Sequence, residues 1–168
     1  MQIRLQELAT MPGYRAQFDY TLDLSKEEVG FEFPFQQPVR LEGEVSDDAG
    51  AITLSATVYA HVTTRCARCG KPVEYDKETD VEFLLVKELE GDDEDRDDLY
   101  LVESDVVELD DILIPELILD MEMAVVCDED CKGLCPKCGQ NLNEGQCGCV
   151  TREIDPRLAV LQKFLDNK

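Results

Sequence analysis

The chain has 168 residues, 43% of them hydrophobic, with no tryptophan and a single histidine, His61. Sixteen basic residues against 38 acidic ones give a net charge of −22 at pH 7. This length and apolar content suit one domain with a sizeable core and exclude general disorder. The charge argues against broad contact with nucleic-acid backbones or anionic membranes, both of which select positive surfaces, and favours basic partners.

The first residues, MQIRLQELATMPGYR, carry no apolar run like that of a signal peptide. No stretch approaches the roughly 18 consecutive apolar residues of a membrane span. The expectation is a cytoplasmic protein with no membrane partner. Thiols there stay reduced, so clustered cysteines point to metal rather than disulfides.

Next come four segments rich in Val, Thr, Tyr and Phe: FDYTLDL (18–24), VRLEGEV (39–45), AITLSATVYAHVTTR (51–65) and VEYDKETDVEFLLVK (73–87). Several alternate apolar with polar, the pattern of half-buried strands. SDDAG (46–50) predicts a hairpin turn, and CARCGKP (66–72) places the first cysteine pair at a second hairpin tip.

Residues 88–98, ELEGDDEDRDD, hold eight acids and one arginine. Self-repulsion and low apolar content predict a solvated loop, with a docking arm for a basic protein as the alternative. YLV (100–102) predicts a short strand returning to the sheet. A buried helix is expected near 110–123, capped by Asp110 or Asp111, with Pro115 at the edge of its first turn. In the tail, Pro156 opens a C-terminal helix whose Leu158, Leu161 and Leu165 share one face.

The predicted layout is therefore a β-rich body over 1–87, the acidic loop over 88–98, and a strand and helix over 99–126 that complete the body. A cysteine-rich zinc segment follows over 127–150, then the C-terminal helix over 151–168, all in one domain. The predicted class is α+β: an antiparallel, barrel- or sandwich-like sheet packed by a few helices, with a zinc-binding annex.

Eight cysteines carry the chemistry: Cys66, Cys69, Cys127, Cys131, Cys135, Cys138, Cys147 and Cys149. Two residues between thiolates let both sulfurs reach one tetrahedral ion, and Gly70 and Gly139 supply the positive φ such knuckles need. Eight soft ligands make two closed S4 sites and favour zinc, with an iron–sulfur cluster as the competing occupant. Loop closure favours Cys135, Cys138, Cys147 and Cys149 as one site, leaving Cys66 and Cys69 to join Cys127 and Cys131. The rival partition pairs the two CxxCG knuckles with each other.

Closed thiolate coordination reads as structural rather than catalytic zinc, which keeps an open position for water. His61, alone on an alternating strand, reads as a packed or surface residue. No phosphate loop, nucleotide fingerprint or nucleophile elbow is present. Arg65, Arg68, Lys71, Lys132 and Lys137 gather near the knuckles, where they offset thiolate charge or, in the sharper reading, contact phosphate.

CARCGKP at a hairpin, a helix carrying PELIL, then CDEDCKGLCPKCGQNLNEGQCGC (127–149) and DPRLAVLQKFL (155–165) stand in the order of the YceD family, which the chain resembles over nearly its whole length. The resemblance implies a bacterial cytoplasmic protein needed for accumulation of 23S ribosomal RNA, with all eight cysteine positions matched and no catalytic residues to carry over. The high negative charge makes wide direct contact with that RNA unfavourable. The leading expectation is thus a non-catalytic factor acting through a basic ribosomal protein or assembly factor, with two structural zinc ions. A zinc–thiolate redox sensor or stress chaperone is the alternative, and an RNA- or nucleotide-processing enzyme the third class.

Overall fold

The computed structural model describes residues 1–9, 13, 15–48, 50–87 and 98–149. The C-terminal helix expected over 151–168 and nearly all of the acidic loop lie outside the described residues. The chain divides into two compact units, one made of Met1–Thr64 and Val73–Met123, the other of Arg65–Pro72 and Ala124–Lys168.

In the first unit, β1 (Gln2–Arg4) runs directly into α1 (Leu5–Ala9). Strands β2 (Arg15–Leu22), β3 (Val39–Asp48), β4 (Ala51–Arg65) and β5 (Pro72–Val86) follow, then β6 (Leu99–Leu101). A last strand, β7 (Val106–Glu108), passes without a loop into α2 (Leu109–Leu119). The class is α+β, a five-stranded sheet in the order β2-β3-β4-β5-β6 beside a two-stranded ladder of β1 and β7.

Three features differ from the sequence expectation. The sheet is mixed, because β6 pairs with β5 in parallel, Leu84 opposite Leu99 and Val86 opposite Leu101. A parallel neighbour requires a crossover of about a dozen residues, and residues 87–98 supply that length of chain. The sheet curls part-way and does not close into a barrel, so β2 and β6 are its edges among the described residues. Pro115 lies inside α2 rather than at its first turn, since the helix begins at Leu109. Pro115 and Asp111 are both exposed, so water can reach the carbonyl that the missing N–H would have bonded.

Asp110 and Asp111 do not cap α2 either; Glu108 holds the cap position without a side-chain bond. The β1–β7 ladder does the work instead. Its register continues one rung at each end, so the Leu109 N–H donates to the Met1 carbonyl and the Leu5 N–H donates to the Asp105 carbonyl, both at 2.9 Å. Each helix thus has an early N–H satisfied by backbone. Asp110 instead accepts from the Tyr20 hydroxyl at 2.5 Å and from the Met1 ammonium at 2.9 Å.

Alternation sorts the two faces of the large sheet. Val39, Leu41 and Val45 of β3, Leu54, Val58 and Val62 of β4, and Val81 and Leu85 of β5 point inward. They pack with Leu109, Ile112, Leu113 and Leu117 of α2 into one core. Each fully buried side chain of this kind contributes about 1.5–3 kcal/mol. At the helix end Asp120 accepts from the Thr79 hydroxyl and the Lys77 ammonium, each at 2.9 Å, which holds α2 against β5. Lys77 first and Thr79 second hold the Asp120 carboxyl below its usual range.

The outer face is acidic. On β5 the exposed positions after Pro72 are Glu74, Asp76, Glu78, Asp80 and Glu82, five carboxylates at every second residue. Thr57 donates to Asp80 and His61 bonds Asp76, so four residues up β4 match four down β5, the pairing of antiparallel strands. His61 also lies 3.8 Å from Glu74, and its pKa is raised, chiefly by the Asp76 hydrogen bond.

Candidate metal centres

The second unit is built from two copies of one knuckle. In the first, the Cys66 N–H donates to the Lys71 carbonyl and the Gly70 N–H to the Cys66 carbonyl, both at 2.8 Å. In the second, the Cys135 N–H donates to Gln140 and the Gly139 N–H to Cys135, again at 2.8 Å. Gly70 and Gly139 share a φ of 73°, the left-handed conformation that favours glycine. A Cβ at either would meet nothing within 4 Å, so the torsion alone requires the residue.

Segment 124–134 wraps the first knuckle. The Ala67 N–H donates to the Val125 carbonyl at 2.8 Å, and the Arg68 guanidinium donates to the carbonyls of Glu129 and Cys131 at 2.9 and 3.0 Å. The backbones then close so tightly that a Cβ on Gly133 would lie 2.9 Å from the Arg68 carbonyl oxygen. Asn143 locks the far side: its amide donates to the Cys131 sulfur at 3.3 Å while its oxygen accepts from the Lys132 N–H at 2.7 Å.

These contacts gather the sulfurs into two sets, Cys66 with Cys69, Cys127 and Cys131, and Cys135 with Cys138, Cys147 and Cys149. This is the short-loop partition; the rival pairing of the two knuckles does not form. Within each set all sulfurs lie within 4.8 Å of one another. In the first set, Cys66 and Cys131 are 3.8 Å apart and Cys69 and Cys127 3.6 Å. Disulfide sulfurs would sit about 2.05 Å apart. Four ligands about 2.3 Å from a central zinc sit about 3.8 Å from each other. The spacing therefore fits a tetrahedral ion.

The thiol electrostatics fit the same occupant. The backbone N–H of Cys127, then those of Cys69 and Arg68, pull the Cys66 thiol down to about 6. Those of Cys138 and Lys137 do the same for Cys135, to about 6. Two members of each set resist: hydrogen bonding with Cys69 and then Cys131 pushes Cys127 up to about 12, hydrogen bonding with Cys138 pushes Cys149 up to about 12, and Cys69 and Cys147 are also held above their ordinary value by burial and the neighbouring thiols. Each cluster is primed to ionise in part, and a cation at its centre would let all four thiols ionise together.

The sequence missed the parts played by Arg68, Gly133 and Asn143. Beyond the charge-offsetting or phosphate-contacting role expected of it, Arg68 ties the two segments together, its Nη1 donating to both carbonyls. Lys71 lines a depression shared with Asp128, Asp130 and Glu144, which disfavours a phosphate there. The run QNLNEG, with its pair of turn-forming asparagines, was the one available signal for Asn143.

The family model described as large ribosomal RNA subunit accumulation protein YceD matches residues 54–165, well over half of the chain. The chain belongs to the YceD family. The match runs from β4 through both YceD cysteine sets. A Bacillus subtilis relative, the uncharacterized protein YlbN, is 27% identical over 98% of this chain and 96% of its own length. A Mycobacterium tuberculosis protein, likewise uncharacterized, is 30% identical over 74% of this chain. An Arabidopsis thaliana protein named large ribosomal RNA subunit accumulation protein YCED homolog 1, chloroplastic, is 29% identical over 74% of this chain. The match spans 61% of the mycobacterial protein and 47% of the Arabidopsis one. No solved structure matches the YceD chain. No helix among its described residues is long and apolar enough to cross a membrane.

Proposed function

We propose that this chain is a non-catalytic cytoplasmic factor that supports synthesis, processing or stability of 23S rRNA during large-subunit biogenesis. It acts by holding a basic ribosomal protein or assembly factor, and the RNA benefits indirectly. The observation that carries this reading is the outer sheet face. Beside the five carboxylates of β5 stand Glu42, Glu44 and Asp19, against Arg15, Arg40 and His61. Arg15 pairs with Glu44, and Arg40 pairs with Asp19 and Glu42, so these two arginines are taken up by carboxylates of β2 and β3. Such a face attracts cations and repels a phosphate backbone. The family description supplies the ribosomal context.

Zinc, held by Cys66, Cys69, Cys127 and Cys131 and by Cys135, Cys138, Cys147 and Cys149, would cross-link each thiolate set and offset its charge. All eight cysteines are committed to these sets of four, which supports a structural role without an open position for water.

Sedimentation of the tagged protein with ribosomal particles tests the reading. Co-migration with large-subunit precursors is expected at low salt, with release at moderate salt. Replacing Asp76, Glu78 and Asp80 by their amides should shift that release to lower salt. Protein confined to the top of the gradient at every salt concentration would overturn the adaptor reading.

One observation favours a second reading, a redox sensor: Cys138 is exposed whereas Cys66 and Cys131 are buried. With mild peroxide, one zinc equivalent should leave early and one late, and Cys147→Ser should abolish only the early phase. If early release is followed by a gain in binding to unfolded protein, the redox reading replaces the adaptor.

A further inference from the structure

We propose that the Gly30–Phe31 turn and the groove beside it form the docking site for a basic amphipathic segment of the partner protein. The proposal rests on the adaptor reading and adds the surface that confers specificity.

Val29 and Glu32 form a two-residue hairpin, each N–H donating to the other's carbonyl, at 2.9 and 3.1 Å. Gly30 and Phe31 at its tip have φ of 58° and 71°, the paired positive torsions of a type I′ turn. Glycine or asparagine suits such a tip, whereas a bulky residue there is an outlier. Phe31 is also 95% exposed. The turn would fold more easily without the phenyl ring, and the core makes no use of it. A strained residue presenting a large apolar side chain to water marks a contact made with something else.

Its chain neighbours Gly30 and Glu32 line a groove of about 410 Å³. Val29, Pro34, Ile118 and Met121 make the groove apolar, and Met123 lies at its edge fully exposed. Leu119, next to Ile118, is 77% exposed. The polar lining includes two acids, Glu32 and Glu122, and no base. An apolar floor with carboxylates beside it complements a helix whose Leu-type side chains enter the groove and whose Lys or Arg side chains meet the acids. Methionines let such a groove adapt to its occupant. The acidic sheet face would draw in any basic protein, and the groove would select one with apolar anchors between its charges.

The test uses the full-length zinc-loaded protein and labelled peptides of about 16 residues with Leu and Arg at amphipathic helical spacing. A control peptide replaces each Leu by Ser and keeps the charge. Fluorescence anisotropy should show the Leu/Arg peptide binding about tenfold more tightly than the Ser/Arg peptide. Phe31→Gly should erase that advantage while leaving the melting temperature unchanged or higher, because glycine suits the turn. Met123→Ser should reduce the same advantage. Equal binding of the two peptides, or an unaltered preference in both variants, would overturn the proposal. Self-association of the wild type that Phe31→Gly abolishes would also overturn it, assigning the patch to a second copy of this chain. The two readings fail separately. Phe31-dependent peptide binding without co-sedimentation removes the ribosomal role alone, and co-sedimentation unaffected by Phe31→Gly removes the docking site alone.

Discussion

Cys66→Ser is expected to lower bound zinc from two ions per chain to one and to depress the melting temperature by more than about 10 °C. Cys66 is 3% exposed and joins residues far apart in sequence, its sulfur lying 3.8 Å from that of Cys131. Three N–H groups, led by that of Cys127, are aimed at its sulfur. A serine oxygen there is a harder, shorter ligand that cannot reach the tetrahedral vertex, and three thiols would be left without the ion that lets them ionise. The segment held by Cys127 and Cys131 then keeps only its hydrogen bonds to the first knuckle, so solubility should fall as well. Cys138→Ser, at an exposed position, should cost less. Metal analysis with thermal denaturation reads both. A Cys66→Ser protein that keeps two zinc ions and melts normally would show that the first cysteine set holds no structural metal.

The second large effect is steric. Gly43 sits in the middle of β3, opposite Phe18 on one side and Ala56 on the other. A Cβ at this position would stand 2.3 Å from the Ser55 carbonyl oxygen and 2.7 Å from the Ala56 Cα. Both are backbone atoms that no rotamer change can move, so β3 and β4 would have to separate where the sheet curls. Gly43→Ala should cost about 3 kcal/mol and lower the melting temperature by about 6–12 °C. Gly145→Ala is the control: its Cβ meets nothing within 4 Å and the torsion is not left-handed, so melting should barely change. Equal melting of the two variants would mean that β3 and β4 are not packed this closely.

Residues whose signal is local were legible in the sequence. β4 was read at its true bounds because alternation and β-branching run unbroken through AITLSATVYAHVTTR. Gly70 and Gly139 were legible because a CxxCG knuckle demands a left-handed residue, and the partition of cysteines followed from loop length. Long-range partners were not legible. The cap on α2 is the carbonyl of Met1, more than 100 residues away, so Asp110 and Asp111 looked like caps when the backbone had already filled that role. The parallel placement of β6 depends on where a crossover lands, which three residues of YLV do not encode. Nothing local in GFEFPF separates Phe31, which is 95% exposed, from Phe35, four residues later, which is fully buried.

The row of carboxylates on β5 also matters before any partner arrives. Two molecules approaching through this sheet would bring Glu74, Asp76, Glu78, Asp80 and Glu82 against the same residues of the other. That repulsion opposes self-association and weakens when salt screens the face or positive charge is brought to it. The residues proposed to recruit a basic protein would therefore also oppose self-association, and amide substitutions made to test recruitment would leave the protein more prone to aggregate.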